Sequence, residues 1–163
     1  IGQVAEILTM FVLGATLKRL GWKLTLIIGI LGHTARFAIY AFYPATTPVI
    51  VVQLVHGICY AFFFATVYIF VDEHFPKDVR ASAQGLFNAV IFGLGALLAN
   101  FVCPMLLADV FTNKVTKVIE FRGLFMVPLL ASLLGAVALA FFFHPPKRKE
   151  ATVEGKISGA VAH

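Results

Sequence analysis

Hydrophobic residues fall in long unbroken runs along the chain, and polar and charged residues gather between them. The first run covers 1–17 and ends at the basic stretch Lys18-Arg19-Leu20-Gly21-Trp22-Lys23. Further runs cover 24–43, 49–71, 81–108 and 124–143. A helix needs roughly 20 apolar residues to cross a hydrocarbon core about 30 Å thick, and a tilted membrane strand needs about half that. These runs are of the longer kind and do not alternate. They predict five transmembrane helices, because a helix satisfies its own backbone hydrogen bonds in lipid. Pro44 and Pro48 mark a short uncharged turn between the second and third runs, and Pro145-Pro146 end the fifth. The chain thus divides into a transmembrane helical part, 1–143, and a tail, 144–163, too poor in apolar residues to fold alone and expected to be disordered.

Composition sharpens this reading. Of 163 residues 60% are hydrophobic and only 13% charged, which leaves a soluble helix bundle almost no polar exterior. The net charge of +5 is carried by short basic clusters between apolar runs rather than along one polar face. Anionic lipid headgroups are therefore the expected partner, and nucleic acid is not. Lys18, Arg19, Lys23, Lys77, Arg80, Lys147, Arg148, Lys149 and Lys156 fall on one side of the predicted membrane, against Lys114, Lys117 and Arg122 on the other. That asymmetry places the C-terminus in the cytoplasm of a multi-pass protein of the inner (plasma) membrane. The chain opens at Ile1 inside an apolar run, with neither a basic leader nor a cleavage site, and reads as a piece of a longer protein.

Little in the sequence points to enzyme chemistry. Cys59 and Cys103 sit in apolar runs without framework spacing, so neither a disulfide nor a metal site is expected. Asp72-Glu73-His74 contains ligand types, but with Lys77, Asp78 and Arg80 beside it the better expectation is an ion-pair network joining two helix ends. There is no nucleophile–base arrangement, phosphate loop or zinc spacing, and no cofactor is expected.

The informative residues are polar ones inside apolar runs. An acid such as Glu6 costs several kcal/mol in a membrane helix and tends to face a cavity. It lies twelve residues before Lys18, hence about 18 Å from the cytoplasmic end at 1.5 Å per residue, near the midplane where secondary transporters hold their substrates. Gln3 shares its face, and the two together offer a donor and acceptors to a hydroxyl-rich solute. A helix–helix hydrogen bond is the plainer role for either. Arg36 is an intramembrane charge about 12 Å from the outer boundary, with His33 one turn earlier on the same face. Gln53, His56 and Tyr60 line one flank of the third helix. His56 is a candidate proton carrier or an ordinary packing histidine. Phe62, Phe63 and Phe64 suit stacking on a base or packing against lipid. Gly85, Gly93 and Gly95 suggest close helix packing on the fourth helix.

Two resemblances follow. Gly14, Lys18-Arg19, Gly21 and Lys23 keep the spacing of the loop motif of the major facilitator superfamily, with Lys18 where that motif has an acid. More specifically, Gly2-Gln3-Val4-Ala5-Glu6, Leu17-Lys18-Arg19-Leu20-Gly21, Ala35-Arg36-Phe37, Gly57 to Phe63, Phe70-Val71 and Arg80-Ala81-Ser82-Ala83-Gln84-Gly85-Leu86-Phe87 resemble the nucleoside:H+ symporter family. The resemblance implies helices eight to twelve of a twelve-helix fold, that is, part of its C-terminal bundle. It also implies a nucleoside substrate contacted by Gln3 and Glu6, proton coupling, alternating access, and a missing N-terminal bundle as partner. The chain departs from the family where an intramembrane aspartate is expected before a Phe-Phe pair and Ala61 stands instead, with Phe64 in place of an asparagine. Glu6, with His56 beside it in chemistry, is then left as the proton-coupling candidate. A proton-independent facilitator of sugars or other polar metabolites and a non-transporting scaffold subunit are the alternatives.

Overall fold

The structure is a computed structural model that describes residues 2–113, Thr116 and 118–146, the side chains of Gly2, Gln3 and Ala5 excepted. Four helices make it up: α1 (Gly2–Phe42), α2 (Thr46–His74), α3 (Lys77–Val110) and α4 (Phe121–Phe142). All four are long and apolar enough to cross a membrane. The expected tail, including Lys147, Arg148, Lys149 and Lys156, lies outside the described residues, as do Lys114 and Lys117.

The basic stretch after the first run is not an open loop. Helical backbone continues on both sides of a single left-handed residue, Gly21 (φ +72°, ψ −180°), and divides α1 into arms 2–20 and 22–42. Basic side chains do not need a loop, because long cationic stems reach the headgroups from a helix. The Thr25 hydroxyl donates to the Gly21 carbonyl at 2.7 Å, and Trp22 turns inward and is buried. A side chain at this φ is strained, so Gly21→Ala is expected to cost about 1–3 kcal/mol. Gly14→Ala, whose new methyl meets nothing within 4 Å in a helix interior, should hold stability or raise it by up to about 1 kcal/mol. Thermal unfolding of the two variants in detergent compares them directly.

Helix ends follow their prolines. Pro48 sits in the first turn of α2, where no backbone N–H is required. Phe75-Pro76 alone separates α2 from α3, so Asp72, Glu73 and His74 form the last turn of a helix rather than a loop. Arg80, one turn into α3, reaches back to Asp72 at 2.9 Å and to the Phe75 carbonyl at 2.8 Å. Wider π-helical turns interrupt α2 at Tyr60–Ala65 and α3 at Ala89–Gly95 and Leu106–Val110.

The core lies where both arms of α1 meet α2. Leu13, Leu17, Trp22, Ala61 and Phe62 form its buried cluster, with the Trp22 ring edge-on to Phe70 at 5.3 Å. Gly29 and Gly32 let the second arm approach α2 closely: a Cβ on Gly29 would stand 2.7 Å from the backbone nitrogen of Phe63. Gly85 and Gly93, expected at close approaches, have open space around them, because α3 packs only lightly on the other helices. No described residue of α3 is buried. Its contacts with α2 include a Tyr68–Asn88 hydrogen bond and Phe64 stacked on Phe92. Phe101 on α3 and Phe141 on α4 are 76% and 73% exposed, as suits surfaces meant for lipid or further helices.

Candidate functional site

Glu6 and Arg36 are each fifteen residues from Gly21, one on either arm of α1. At 1.5 Å per residue both stand about 22 Å from the turn, so folding back at Gly21 brings them level. His56, on α2, fills the gap between them. Its Nε2 is 3.2 Å from Glu6 Oε1, and its Nδ1 is 2.9 Å from Arg36 Nη1. A single imidazole thus joins an acid on one arm to a guanidinium on the other.

The chain of polar groups continues outward. Arg36 Nη2 donates to the Tyr40 hydroxyl at 3.4 Å, and Gln53 Nε2 donates to the same oxygen at 3.0 Å. Two helices therefore share five polar side chains, all placed by helical spacing: Arg36 and Tyr40 are four apart, Gln53 and His56 three apart. The site is not sealed, since the Glu6 and His56 side chains retain 26% and 38% of their exposure. Two charged groups in lipid-like surroundings persist when each has an opposite or hydrogen-bonding partner, and this arrangement supplies both. Chemically it offers carboxylate acceptors, a guanidinium donor and an imidazole that can exchange a proton.

The remaining sequence candidates fall as follows. The Gln3 side chain lies outside the described residues. His33 is half-buried and within electrostatic range of Arg36 and His56. Tyr60 does not join the network; its ring lies 5.7 Å from that of Phe64. Phe62 belongs to the core cluster, while Phe64 packs against Phe87 and Phe92. Lys18 and Arg19 are exposed and Lys23 half-buried near the turn. Ala61 is fully buried, and its carbonyl accepts the Thr66 hydroxyl at 3.3 Å. The position where an intramembrane aspartate was expected is thus enclosed among Leu13, Leu17, Trp22 and Phe62.

Tyr40 is the member of the network that the sequence reading left out; its four-residue step from Arg36 was the available signal. A cleft of about 740 Å³ between α3 and α4 is lined by Phe37, Leu98, Phe125 and Pro128 among others, with Asn100 as a polar member, and gives a polar solute few partners.

Comparison with known proteins agrees with the sequence resemblance. The model of the nucleoside H+ symporter family matches residues 1–148. Xanthosine permease of Escherichia coli (strain K12) is 30% identical over 155 residues, covering 91% of this chain and 36% of that protein. Nucleoside permease NupG of the same organism is 30% identical over 121 residues, covering 71% and 29%. A crystal structure of the nucleoside transporter NupG, in an aspartate-to-alanine mutant, superposes with a TM-score of 0.75 at 25% identity, covering 88% of this chain and 36% of that one. The chain spans about a third of the length of these relatives. With four membrane-capable helices and a match over nearly its whole length, the chain belongs to the nucleoside H+ symporter family, a family of transporters rather than enzymes.

Proposed function

We propose that the full protein carries nucleosides across the membrane by proton symport, with alternating access to a midplane site that includes Glu6 and His56. The observation that carries this reading is the Glu6–His56–Arg36 chain, which joins a proton-exchanging group to an acid that can also hold substrate hydroxyls. In this reading Gln3 and Glu6 bind the solute. The two arms of α1 count as separate crossings, so that five helices correspond to the eighth to twelfth of a twelve-helix major facilitator fold. The rest of the fold supplies the opposite wall of the cavity, and the C-terminal tail is cytoplasmic. The turn bearing Gly14, Lys18, Arg19, Gly21 and Lys23 braces one of the end states. Names of relatives support the substrate class: a xanthosine permease and a nucleoside permease are among them.

Proton coupling without an acid at position 61 is the specific element of the proposal. With Ala61 buried in the apolar cluster, coupling falls to Glu6 and His56, which stay partly exposed. The test is uptake of labelled uridine and xanthosine by cells expressing the intact protein, with and without a protonophore. Accumulation above an empty-vector control that collapses with the protonophore is expected. Uptake equal to the control ends the nucleoside proposal, and accumulation-free uptake indifferent to the protonophore favours a facilitator.

A further inference from the structure

We infer that Arg36 is a positioning residue that holds His56 in one tautomer, so that a proton can reach the imidazole only by parting the second arm of α1 from α2. The argument rests on donor and acceptor inventory. A guanidinium has five N–H donors and no acceptor, so the nitrogen that faces Arg36 Nη1 at 2.9 Å must accept. His56 Nδ1 is therefore bare. The ring hydrogen resides on Nε2, which points at Glu6 Oε1 from 3.2 Å and finds there an acceptor. Both ring nitrogens are thus in use, and in a single sense.

A proton added to this imidazole has one place to go, Nδ1. There the new N–H meets an N–H of Arg36, donor against donor and cation against cation, and the contact that joined the two elements becomes repulsive. A proton that rests instead on the far oxygen of Glu6 leaves the contact intact, because the carboxyl carbonyl still accepts from Nε2. The site therefore distinguishes a proton on the acid from a proton on the imidazole by whether the helices stay together.

The groups around His56 reinforce this direction. His33, one turn from Arg36 on the same arm, is in electrostatic range of both, and Cys59 is buried one turn beyond His56 on α2. Tyr40 and Gln53 hold the other side of the guanidinium by way of the shared hydroxyl. Arg122, the charged residue of α4, is occupied over the Phe42 ring at 5.0 Å. Glu6 is thus the anion that receives the proton-bearing face of the ring.

This inference deepens the proton-symport reading and rests on it for its meaning in transport, but its physical content can be measured separately. The intact protein, labelled with 15N-histidine and held in lipid nanodiscs, would be compared with His56→Gln to assign the His56 signals. At neutral pH the wild type is expected to show the Nε2–H tautomer alone. Arg36→Met should yield a mixture with Nδ1–H, and Arg36→Lys, which restores a donor, should return the single form. In sealed proteoliposomes of the same variants, proton-driven uridine accumulation by Arg36→Met should fall about ten-fold relative to wild type, the scale of one lost charge-assisted hydrogen bond, with partial recovery in Arg36→Lys. A wild type in the Nδ1–H form, or an Arg36→Met protein with an unchanged tautomer, overturns the inference even if Arg36 matters for folding. Protonophore-insensitive uptake by the wild type would instead sink the symport reading and leave the tautomer result standing.

Discussion

Gly29→Leu is expected to leave little folded protein, and Gly29→Ala to lower thermal stability more than alanine at any other helical glycine of the first three turns around it. Even one methyl carbon at position 29 would lie 2.7 Å from the Phe63 nitrogen and 2.8 Å from the Phe62 carbonyl carbon. Both neighbours are backbone, and they belong to the π-helical turn Tyr60–Ala65, so no rotamer change can make room. Overpacking a well-filled core costs about 1–3 kcal/mol when side chains can yield, and more when backbones must separate. Separation here would also pull His56 away from Arg36, since both contacts lie between the second arm of α1 and α2. Gly32→Ala offers a graded comparison, because its methyl would meet the Cys59 sulfur at 2.8 Å, a side-chain atom in a fully buried place. Fluorescence-detected gel filtration of detergent-solubilised protein after a heating series measures the order. Equal stability of Gly29→Ala and Gly14→Ala would show that the arm does not pack as described.

Glu6→Gln is expected to reduce nucleoside uptake by about 10- to 100-fold at equal amounts of protein in the membrane, the range set by about 1.5–3 kcal/mol for a hydrogen bond to a charged group. The substitution keeps the shape but removes the negative charge that faces His56 Nε2 at 3.2 Å and balances Arg36 beyond it. An amide can still accept from Nε2, so much of the packing should persist, and the loss should fall on transport rather than on folding. Both side chains stay partly exposed, so neither is locked into a sealed core by this contact. In the symport reading the amide also cannot take up the proton, so accumulation should suffer more than exchange of labelled for unlabelled nucleoside across the membrane. Initial-rate uptake and counterflow, measured side by side with membrane levels checked by immunoblot, separate the two. Wild-type accumulation in Glu6→Gln would remove this acid from the mechanism.

Much of the architecture was legible because lipid leaves few choices. A run of twenty apolar residues in a bilayer has to be a helix, and the runs ending at Tyr43 and starting at Val49 or Leu124 overlap described helices for that reason. Glu6 stood out for the same physics, as a charge where charge is expensive. What periodicity could not supply was the pairing. Gln53 and His56 read as one flank, and Arg36 with His33 as a face of another helix, because nothing local tells a residue at position 36 that it will meet one at 56. The glycines show the same limit. Gly29, Gly32, Gly85 and Gly93 look alike in sequence, and only the position of α2 against the second arm decides which of them faces a neighbouring backbone. Polar composition from Lys18 to Lys23 marks a break between two apolar runs but not its form: the cations ride on helix and one residue makes the bend.

That single-residue bend makes α1 act as a pair of callipers. With no slack between the arms, the height of each charge above the hinge is a count of residues, fifteen on either side. Removing one residue from either arm would lower its charge by about 1.5 Å and swing it about a quarter-turn or more around the helix, off the imidazole. The spacing between Gly21 and its two charges is therefore as much a part of the site as the charges are. Change that tolerates substitution at the intervening lipid-facing positions should not tolerate insertion or deletion there.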